Sequence, residues 1–565
     1  MPVVSVDLKD FCSLLGKELT IDFLKERLPF LGTAWERESE EGFEVEVFPN
    51  RPDMFSTEGL ARAFSGFINL RTGIIDYSVE RSDYRTSVDE SVRNVRPCIV
   101  LSVVEGLRLS DEGLRSIMQL QEKLHVSIGR NRRKASIGIY DADKVTFPLL
   151  YTTKDRDFSF QPLDFPERMR IEEILKRHPK GIEYGSILAG FDRYPILMDS
   201  SGTVLSMPPI INSEDTRVTV SSKNLVIDVT GLDFQTINMV LNIVTCALVE
   251  RGGRVKAVTI GYPYETGFGR SLLTPDLSPR RQILKVSSVK KLTGLRIGVE
   301  EVRRLLEAMR FGVEKVEGDA ITVLIPPYRA DIMHEVDLVE DVAIAYGYDR
   351  ILPEIPPIST IGGEDPKEVF SSKIREIMVG FGYQEVMTYI LTNPTTLFKK
   401  MRLPESKDLV EIRNPKTNEY TVCRNWLLPS LLEVLSRNTH RPYPQRIFEV
   451  DDVIEPDPLA ETKAKSLRKL ALVTIHNEAD FAEVRALSGA LFDSLGLEAE
   501  IIPSEHPSFL EGRYGIISLK GKVLGFLGEI HPEVLEAFGL EHPAASLELD
   551  LEELKELVTG FHEKS

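Results

Sequence analysis

Within eleven positions of one short stretch, Asp331 is followed by Asp337, Glu340 and Asp341. The last three are spaced i, i+3 and i+4, which places them on one face of a helix. An apolar stripe in the same stretch predicts that helix, with Asp331 as its N-cap. Mg²⁺ typically takes one or two carboxylates and keeps several waters. The stretch is therefore either a solvated acidic face or a hard-cation site, and spacing alone does not separate the two.

An internal repeat provides a comparison for this stretch. Residues 19–66 and 297–347 each contain an amphipathic helix, a strand, a Pro-x-Arg-x-Asp motif and a second helix that ends at a glycine. The motif lies at Pro49–Asp53 in the first copy and at Pro327–Asp331 in the second. Where the second copy has its three later acids, the first copy has Gly59, Arg62 and Ala63. The unit does not need those acids to fold, which favours a functional cluster.

Length and composition limit the number of domains and the classes of partner that the chain can have. A chain of 565 residues should hold about four domains of ordinary size. Its formal net charge of −18 argues against nucleic-acid binding over the whole surface, so any such partner must be met locally. The four cysteines form no CxxC pair, and the N-terminus lacks the pattern of a signal peptide. The longest apolar run, residues 239–249, is too short for a bilayer, so we expect a cytoplasmic protein with no membrane partner.

The central part of the chain contains a basic loop, residues 130–134. Its four cations stand out in an acidic chain. A solvated loop explains them, and so does a contact to a nucleic-acid backbone or to a partner subunit. These alternatives stay open at the level of sequence.

Polar residues near two predicted strands form a second central cluster. The strand-like runs TVLSM and NLVIDVTG bracket a turn at residues 212–215. Polar groups on such loops often line a site, although a turn with a helix cap explains the same residues. If the turn and the second strand meet over a pocket, its candidate residues are Asn212, Glu214, Asp228 and Thr230, with Ser206 behind them.

The last part of the chain, from about residue 353, begins with a proline-rich linker and then alternates helices and strands. It contains no HIGH-like or KMSKS-like motif, no P-loop and no G-x-G-x-x-R sequence. We therefore expect no nucleotide site of those kinds here.

Five separated stretches, in order along almost the whole chain, carry a family resemblance. They are FPNRPDMFSTEGLARAF, PPYRADIMHEVDLVEDVAIAYGYDRI, the segment from RNP to CRNWLLPSLLEVLSRN, IFEVDDVI and GEIHPEVLEAFGL. Together they resemble the β subunit of phenylalanyl-tRNA synthetase in its archaeal and eukaryotic form. The resemblance implies an α+β, multidomain fold. It has a duplicated small helix/strand unit, a central α+β editing domain and a C-terminal class II synthetase-like antiparallel sheet domain that lacks the catalytic motifs.

The resemblance also implies a division of labour along the chain. Residues 1–84 would be the first repeat unit, and residues 85–270 the editing domain, which hydrolyses tyrosyl-tRNA. Residues 271–352 would be the second repeat unit with a Mg²⁺-binding acid cluster. Residues 353–565 would be a class II catalytic-like domain that serves as a non-catalytic scaffold and in dimerisation.

As an enzyme, such a chain would belong to an α2β2 phenylalanine–tRNA ligase that attaches phenylalanine to its tRNA at the expense of ATP. The ATP and the aminoacylation site would lie on the α subunit. Editing is needed because an apolar pocket rejects one extra hydroxyl by only about 10². The resemblance assigns Mg²⁺ to Asp331, Asp337, Glu340 and Asp341, and the editing candidates are Asn212, Glu214, Asp228 and Thr230.

Two other classes of function remain open. The chain could be a non-enzymatic nucleic-acid-binding adaptor, but the helix that would read the nucleic acid in the second repeat copy carries acids instead of cations. It could also be a stand-alone Mg²⁺-dependent hydrolase that uses the acid cluster without a partner. Co-purification with a second chain of synthetase type separates these classes from the ligase.

Overall fold

The computed structural model describes residues 2–562, and the chain divides into two compact units, Met1–Ile355 and Pro356–Ser565. The helices of the first unit are α1 (Leu8–Leu15), α2 (Ile21–Arg27), α3 (Thr57–Phe67), α4 (Asp111–Val126), α5 (Ile171–Arg177), α6 (Pro179–Tyr184), α7 (Phe234–Glu250), α8 (Val286–Thr293), α9 (Val299–Ala308) and α10 (Glu335–Tyr346). Among the described residues, no helix has the length and apolar character needed to cross a membrane.

The strands of the first unit form five sheets. They are β1 (Val3–Asp7), β2 (Thr33–Glu38), β3 (Gly42–Val47), β4 (Val79–Glu80), β5 (Arg85–Val88), β6 (Cys98–Glu105), β7 (Ala135–Asp141), β8 (Leu149–Lys154), β9 (Ser159–Phe160), β10 (Met169–Arg170), β11 (Tyr194–Met198), β12 (Val204–Met207), β13 (Ile211–Asn212), β14 (Leu225–Gly231), β15 (Arg254–Lys256), β16 (Val258–Gly261), β17 (Ser271–Thr274), β18 (Arg280–Lys285), β19 (Gly312–Glu317) and β20 (Ala320–Ile325).

The two repeat copies share one topology. Each forms a three-stranded antiparallel sheet with the third strand in the middle, in the order β1-β3-β2 and β18-β20-β19. In each copy two helices connect the first two strands, and the Pro-x-Arg-x-Asp turn leads from the third strand into α3 or α10. The predicted duplication is confirmed.

The two copies differ at the three positions where the second copy carries its later acids. Packing explains two of the residues that the first copy has there, Gly59 and Arg62. A Cβ atom on Gly59 would lie 1.7 Å from the backbone oxygen of Asp53, so no larger residue fits there. Arg62 is buried, with its guanidinium 3.6 Å from the ring centroid of Tyr328 in the second copy. Gly59 is therefore required by packing within the first copy, and Arg62 contacts the second copy.

One local prediction is wrong. Asp331 does not cap α10, because the helix begins four residues later, at Glu335. His334 is the N-cap, and its Nδ1 accepts a hydrogen bond from the backbone N–H of Val336 at 3.3 Å. Asp331 instead forms an ion pair with Arg329.

The central region contains two stacked sheets, with α4 and α7 on the outer face of one sheet and α5 and α6 on the outer face of the other. The five-stranded sheet has the order β4-β15-β6-β14-β7, and the seven-stranded sheet has the order β13-β12-β11-β8-β5-β16-β17. Alternate residues of β6 and β14 point to opposite faces. Val100 and Ile227 pack with α4 and α7, whereas Leu101 and Val226 pack with the seven-stranded sheet. Both faces of these strands are buried, which explains their nearly continuous apolar sequences.

The second unit is built on one large sheet. Its helices are α11 (Pro366–Gly380), α12 (Leu428–Arg437), α13 (Phe481–Ser494), α14 (Pro532–Phe538) and α15 (Leu551–His562). Its strands are β21 (Gln384–Glu385), β22 (Leu391–Thr392), β23 (Val422–Cys423), β24 (Gln445–Pro456), β25 (Ala464–Ile475), β26 (Glu500–Pro503), β27 (Phe509–Leu519), β28 (Lys522–Ile530) and β29 (Ala544–Asp550).

The large sheet of this unit has the order β21-β24-β25-β29-β28-β27-β26 and is antiparallel except at β21. Separate apolar cores cover its two faces, one with α11, α13 and α15 and the other with α12 and α14. The predicted α+β, multidomain class with a C-terminal antiparallel sheet is confirmed.

Candidate functional site

A cavity of about 390 Å³ lies between the two central sheets and α4. Its wall combines apolar residues with polar side chains from the turn before α5, from β12 and β13, and from the paired strands β7 and β14. Three of the predicted polar residues line it, namely Ser206, Asn212 and Asp228. The structure thus brings together residues from the two strands and the turn that the sequence singled out.

Asp228 is the buried carboxylate of this cavity. It lies in the middle of β14, directly opposite Gly138 on β7, and its side chain is on the inner face of the sheet, like that of Val226. The Tyr140 hydroxyl donates a hydrogen bond to Asp228 Oδ1, and the same hydroxyl lies 2.8 Å from Ser206 Oγ. A Cβ atom at position 138 would lie 1.9 Å from the Tyr140 hydroxyl and 2.2 Å from Asp228 Oδ1. The glycine leaves the space in which the phenol and the carboxylate meet.

The environment of Asp228 is unusual for a carboxylate. Burial raises its pKa to about 7, although the hydrogen bond from Tyr140 and the charge of Arg96 act in the opposite direction. Among the described residues, no hydrogen bond reaches its second oxygen, Oδ2, and no ion pair neutralises the side chain. Asp228 therefore faces the cavity with one acceptor oxygen available.

The other editing candidates occupy different places. Asn212 lines the cavity, and its amide nitrogen is 3.5 Å from the backbone oxygen of Ile139. Glu214 lies outside the wall, where it accepts hydrogen bonds from Arg217 at 2.6 and 2.7 Å and from the backbone N–H of Asp164 at 3.0 Å. The hydrogen bonds from Arg217 lower the pKa of Glu214. This carboxylate fixes the turn and holds Arg217, which does line the cavity.

Thr230 is also outside the wall. It is fully buried, and its hydroxyl accepts a hydrogen bond from Arg96 Nε at 2.9 Å. Arg96 also donates to the backbone oxygens of Thr230, Arg132 and Arg133. Thr230 therefore connects the end of β14 to the basic loop.

The cavity contains a charged pair that the sequence did not predict. Arg132, from the basic loop, is buried and donates to Glu122 at 2.8 Å and to the backbone oxygen of Ile210 at 2.9 Å. Its guanidinium lies 4.4 Å from the ring centroid of Tyr184. The residue has a left-handed backbone, with φ of 65°, which turns its side chain inward. The run of cations in the sequence identified the loop, but it did not indicate that the side chain of Arg132 points inward.

Two histidines near the cavity are already engaged. His125 Nε2 accepts from the backbone N–H of Ile137 at 2.8 Å, and its Nδ1 faces Glu122 at 3.3 Å. His178 Nδ1 accepts from the backbone N–H of Lys180 at 3.1 Å, and its Nε2 faces the Leu163 oxygen at 3.3 Å. Burial lowers the pKa of His125. Neither ring therefore has a nitrogen free to act as a general base.

The acid cluster of the second repeat copy is arranged around Arg329. This buried guanidinium contacts Asp331 at 2.6 Å and Asp341 at 2.5 Å. Burial raises the pKa of Asp341 to about 6 despite the opposing charges of Arg329 and Arg51. Burial also acts to raise the pKa of Asp331, but the charge and hydrogen bond of Arg329 outweigh it and lower that pKa.

The remaining two acids have other environments. Asp337 accepts hydrogen bonds from the backbone N–H groups of Met333 and His334 at 2.8 and 2.6 Å, so it caps the start of α10. Glu340 is exposed and lines a second cavity, of about 390 Å³, together with Asp331, Asp341 and two arginines. Between residues 2 and 562, no three histidine, cysteine or acidic side chains are grouped as a metal site. As arranged, the four carboxylates do not form one ligand set for Mg²⁺.

Comparisons with known proteins agree along the chain. Residues 351–551 match the family described as the phenylalanyl tRNA synthetase beta chain CLM domain, and residues 283–348 match the tRNA synthetase B5 domain. The phenylalanine–tRNA ligase beta subunit of Archaeoglobus fulgidus is 45% identical over 553 residues, which cover 98% of both chains. That of Pyrococcus abyssi is 43% identical over 560 residues, covering 98% of this chain and all of the relative.

A solved structure resembles the first part of the chain. It is an N-terminal fragment of the phenylalanyl-tRNA synthetase beta subunit from Pyrococcus horikoshii, with 38% sequence identity and a TM-score of 0.59. The match covers 61% of this chain and 100% of the fragment. The fold described for this first part of the chain is therefore similar to that of a crystal structure of a relative's N-terminal fragment.

Proposed function

The chain belongs to the family of phenylalanine–tRNA ligase beta subunits, which are aminoacyl-tRNA synthetases, and on that premise we propose that its central cavity hydrolyses tyrosyl-tRNA. The observation that carries this proposal is Asp228, a buried carboxylate without an ion pair and with one oxygen directed to a cavity. The ligase reaction itself would take place on an α subunit in an α2β2 assembly in the cytoplasm, with ATP and the phenylalanine tRNA as substrates.

The cavity suits recognition of a phenol. Its wall already holds one, because the Tyr140 hydroxyl donates to Asp228 Oδ1 and leaves Oδ2 for a second donor. A tyrosyl group could donate its phenolic hydrogen to Oδ2, whereas a phenylalanyl group would leave this buried acceptor unpaired. Losing a hydrogen bond to a charged group costs about 1.5 to 3 kcal/mol, which corresponds to about ten- to a hundredfold in rate. This difference would spare the correctly charged tRNA.

The chemistry is ester hydrolysis. The oxygen of a water molecule attacks the carbonyl carbon, the bond from that carbon to the ribose oxygen breaks, and the products are tyrosine and tRNA with its terminal hydroxyl restored. Both nearby histidines are engaged, so we assign the orientation of the water to polar groups of the wall. Asn212 is the first candidate because its side-chain oxygen accepts no hydrogen bond from the described residues. Its amide would act by positioning the water, since an amide is not a base.

Magnesium at the acid cluster is a separate part of the proposal. The negative charges of Asp331 and Asp341 are neutralised by Arg329. Asp337 and Glu340 are therefore the carboxylates that would contribute most to holding the ion in the assembled ligase. Bound Mg²⁺ would add positive charge at this surface. No step of the hydrolysis described above requires it.

The domain assignment follows the same proposal. Residues 85–270, which contain the cavity and all strands of the stacked sheets except the edge strands β4 and β17, would be the editing domain between the repeat units 1–84 and 271–352. Residues 353–565 would be the non-catalytic scaffold, and the division of the chain after Ile355 supports a boundary near that position.

The test is deacylation of tyrosyl-tRNA by the purified ligase. We expect hydrolysis by the unmodified protein and a loss of about ten- to a hundredfold in Asp228→Asn, with phenylalanine charging retained. Asp199→Asn is the matched control, since Asp199 is similarly buried but accepts hydrogen bonds from the backbone of Thr146, Ser201 and Thr203 and from the Ser201 hydroxyl. If Asp199→Asn slows deacylation as much as Asp228→Asn does, the cavity has no special role and the proposal fails.

A further inference from the structure

The basic loop, residues 130–134, contacts the cavity through one of its residues and a separate groove through another. Arg132 points inward and lines the cavity of Asp228. The end of the loop, at Lys134, contacts the segment after β14, because its backbone oxygen accepts from the N–H of Leu232 at 3.3 Å. That segment forms one wall of an open groove of about 600 Å³. The loop is thus shared between the cavity and this groove.

The groove, which we call the aromatic groove, is lined by Leu232, Phe234, Tyr264 and Phe268. Phe268 is 65% exposed and Leu232 is 56% exposed, so the groove presents apolar surface from two of its lining residues. Phe268 is held by edge-to-face contact with Phe234, at 5.8 Å between centroids and 65° between planes. It therefore offers an aromatic surface to solvent from a supported position.

The loop that contacts the aromatic groove through Lys134 also carries two unpaired cations. Arg130 and Arg133 are exposed, and among the described residues their side chains make no ion pair or hydrogen bond. The two acids of the groove are already offset, since Asp233 faces Lys134 at 3.6 Å and Glu265 faces Arg270 at 3.7 Å. The site thus combines free positive charge with exposed aromatic surface in a chain of net charge −18.

The loop is fixed in this position. Residues 130, 131 and 132 have consecutive left-handed backbones, with φ of 49°, 53° and 65°. Arg96, which is 2% exposed, donates to the backbone oxygens of Arg132 and Arg133 and also to Thr230 at the end of β14. The strand that carries Asp228 and the loop that carries the free cations are therefore held together by one buried side chain.

From these observations we propose that Arg130, Arg133 and Phe268 bind the single-stranded 3′ end of the tRNA whose terminal ester enters the Asp228 cavity. Proteins bind single strands by placing cations along phosphates and by stacking bases on aromatic side chains. The nucleotides that precede an ester held in the cavity must lie on the adjoining surface. The basic loop contacts both places, because Arg132 lines the cavity and Lys134 contacts Leu232 and Asp233 in the wall of the aromatic groove. This inference rests on the proposed editing function and adds the site that recognises the nucleic acid.

The experiment compares two substrates on the full chain, purified as the ligase. One is tyrosyl-tRNA, and the other is tyrosine esterified to the ribose of adenosine, which fills the cavity but lacks the preceding nucleotides. For Arg130→Gln with Arg133→Gln we expect a higher KM for tyrosyl-tRNA and an unchanged kcat/KM for tyrosyl-adenosine. The slope of log(1/KM) against log[salt] should become less steep by about 1.4, which is about 0.7 for each phosphate that the variant no longer neutralises.

Phe268 tests the stacking part. Phe268→Ala should raise KM for tyrosyl-tRNA about tenfold, and Phe268→Tyr, which keeps the ring, should not. The charge control is Arg81→Gln with Arg108→Gln, which removes two exposed cations. Arg81 follows the strand β4 at the opposite edge of the five-stranded sheet, and Arg108 follows the far end of β6. This control should keep the salt slope and KM of the unmodified protein.

The outcomes separate the two proposals. If the unmodified ligase hydrolyses neither substrate, the editing function fails and this inference fails with it. If it hydrolyses both substrates and the loop variant keeps its salt slope, the tRNA end binds elsewhere and only this inference is overturned. A loop variant that loses tyrosyl-adenosine hydrolysis as well would also overturn it, because the loop would then shape the cavity and not bind the nucleotides.

Discussion

Two buried aspartates of the first unit, Asp228 and Asp341, have nearly the same exposure but different partners. They are 1% and 3% exposed, and burial raises their pKa values to about 7 and about 6. Asp341 is paired with the guanidinium of Arg329, whereas Asp228 accepts one hydrogen bond from a phenol and has no counter-ion. A raised pKa alone therefore does not identify a functional carboxylate.

The difference shows what each acid can do. When a carboxylate is paired with a buried arginine, its charge is neutralised and its orientation is fixed by that contact. Removing the arginine leaves an unpaired buried charge. A carboxylate held by a single neutral donor at a cavity wall retains an acceptor for a ligand. We therefore assign ligand recognition to Asp228 and a structural role to the pairs formed by Arg329.

The largest effect is expected at Arg329. Arg329→Met leaves Asp331 and Asp341 without their shared counter-ion, so the free energy of unfolding of the first unit should fall by about 3 to 5 kcal/mol. Denaturant titration of the variant measures it. The control is Arg281→Met, which breaks an exposed pair with Glu314 and should cost no more than about 1 kcal/mol. Equal losses in the two variants would show that the buried pairs contribute nothing special.

Tyr140→Phe should shift the pH dependence of deacylation. The hydrogen bond from Tyr140 lowers the pKa of Asp228, so its removal raises that pKa above about 7. If the ionised carboxylate accepts the phenol, activity rises with pH through this pKa, and the variant should reach half of its maximum at a higher pH. The pH–rate profile of tyrosyl-tRNA hydrolysis checks this shift. Ser206, Arg96 and Tyr151, the other polar groups that act on the pair, are unchanged in this variant. An identical midpoint would mean that Asp228 does not set the profile.

The same carboxylate predicts how stability depends on pH. The pKa of Asp228 is raised in the folded state, so the folded chain binds more protons than the unfolded chain between about pH 4 and pH 7. Its contribution to stability is therefore fully present at the acid end of this window and is lost as pH rises through about 7. Asp228→Asn removes the loss, so the variant should gain in melting temperature relative to the unmodified protein from pH 5 to pH 8. A constant difference across that range contradicts the raised pKa.

Glu214→Ala should have a smaller effect. Glu214 lies outside the cavity wall and holds Arg217 and the backbone of Asp164, so we expect a lower melting temperature with deacylation reduced less than about threefold. Measuring both quantities on one preparation checks this. A loss as large as that of Asp228→Asn would place Glu214 in the site itself.

The smallest effect on stability is expected for Asp337→Asn with Glu340→Gln. An asparagine side chain at position 337 could still cap α10 through its oxygen, and Glu340 is exposed, so the melting temperature should change by only about a degree or two. The bound Mg²⁺ of the assembled ligase should fall, as measured by metal analysis after dialysis. Unchanged metal content would remove these two residues from the proposed metal site.

Local sequence patterns predicted the parts of the structure that depend on neighbouring residues. The duplicated unit and the strand that carries Asp228 follow from periodicity and spacing, whereas Asn212, predicted in a turn, lies at the end of the short strand β13. The role of Tyr140 could not be predicted in this way, because its contact with Asp228 joins residues 88 positions apart. The inward turn of Arg132 depends on three consecutive left-handed residues, none of them glycine, for which the sequence gives no signal. The sequence identified Arg329 only as part of the Pro-x-Arg-x-Asp motif. Its ion pair with Asp341 could not be predicted, because it depends on how α10 packs against the motif.

Recognition of a misattached tyrosine's phenol by Asp228 can be measured as the ratio of two deacylation rates. The rates to measure are those for tyrosyl-tRNA and phenylalanyl-tRNA with the unmodified ligase and with Asp228→Asn, under single-turnover conditions. We expect the preference for tyrosyl-tRNA to fall by about ten- to a hundredfold in the variant, while the slow hydrolysis of phenylalanyl-tRNA changes little. An unchanged preference, or an equal loss with both substrates, would contradict this expectation.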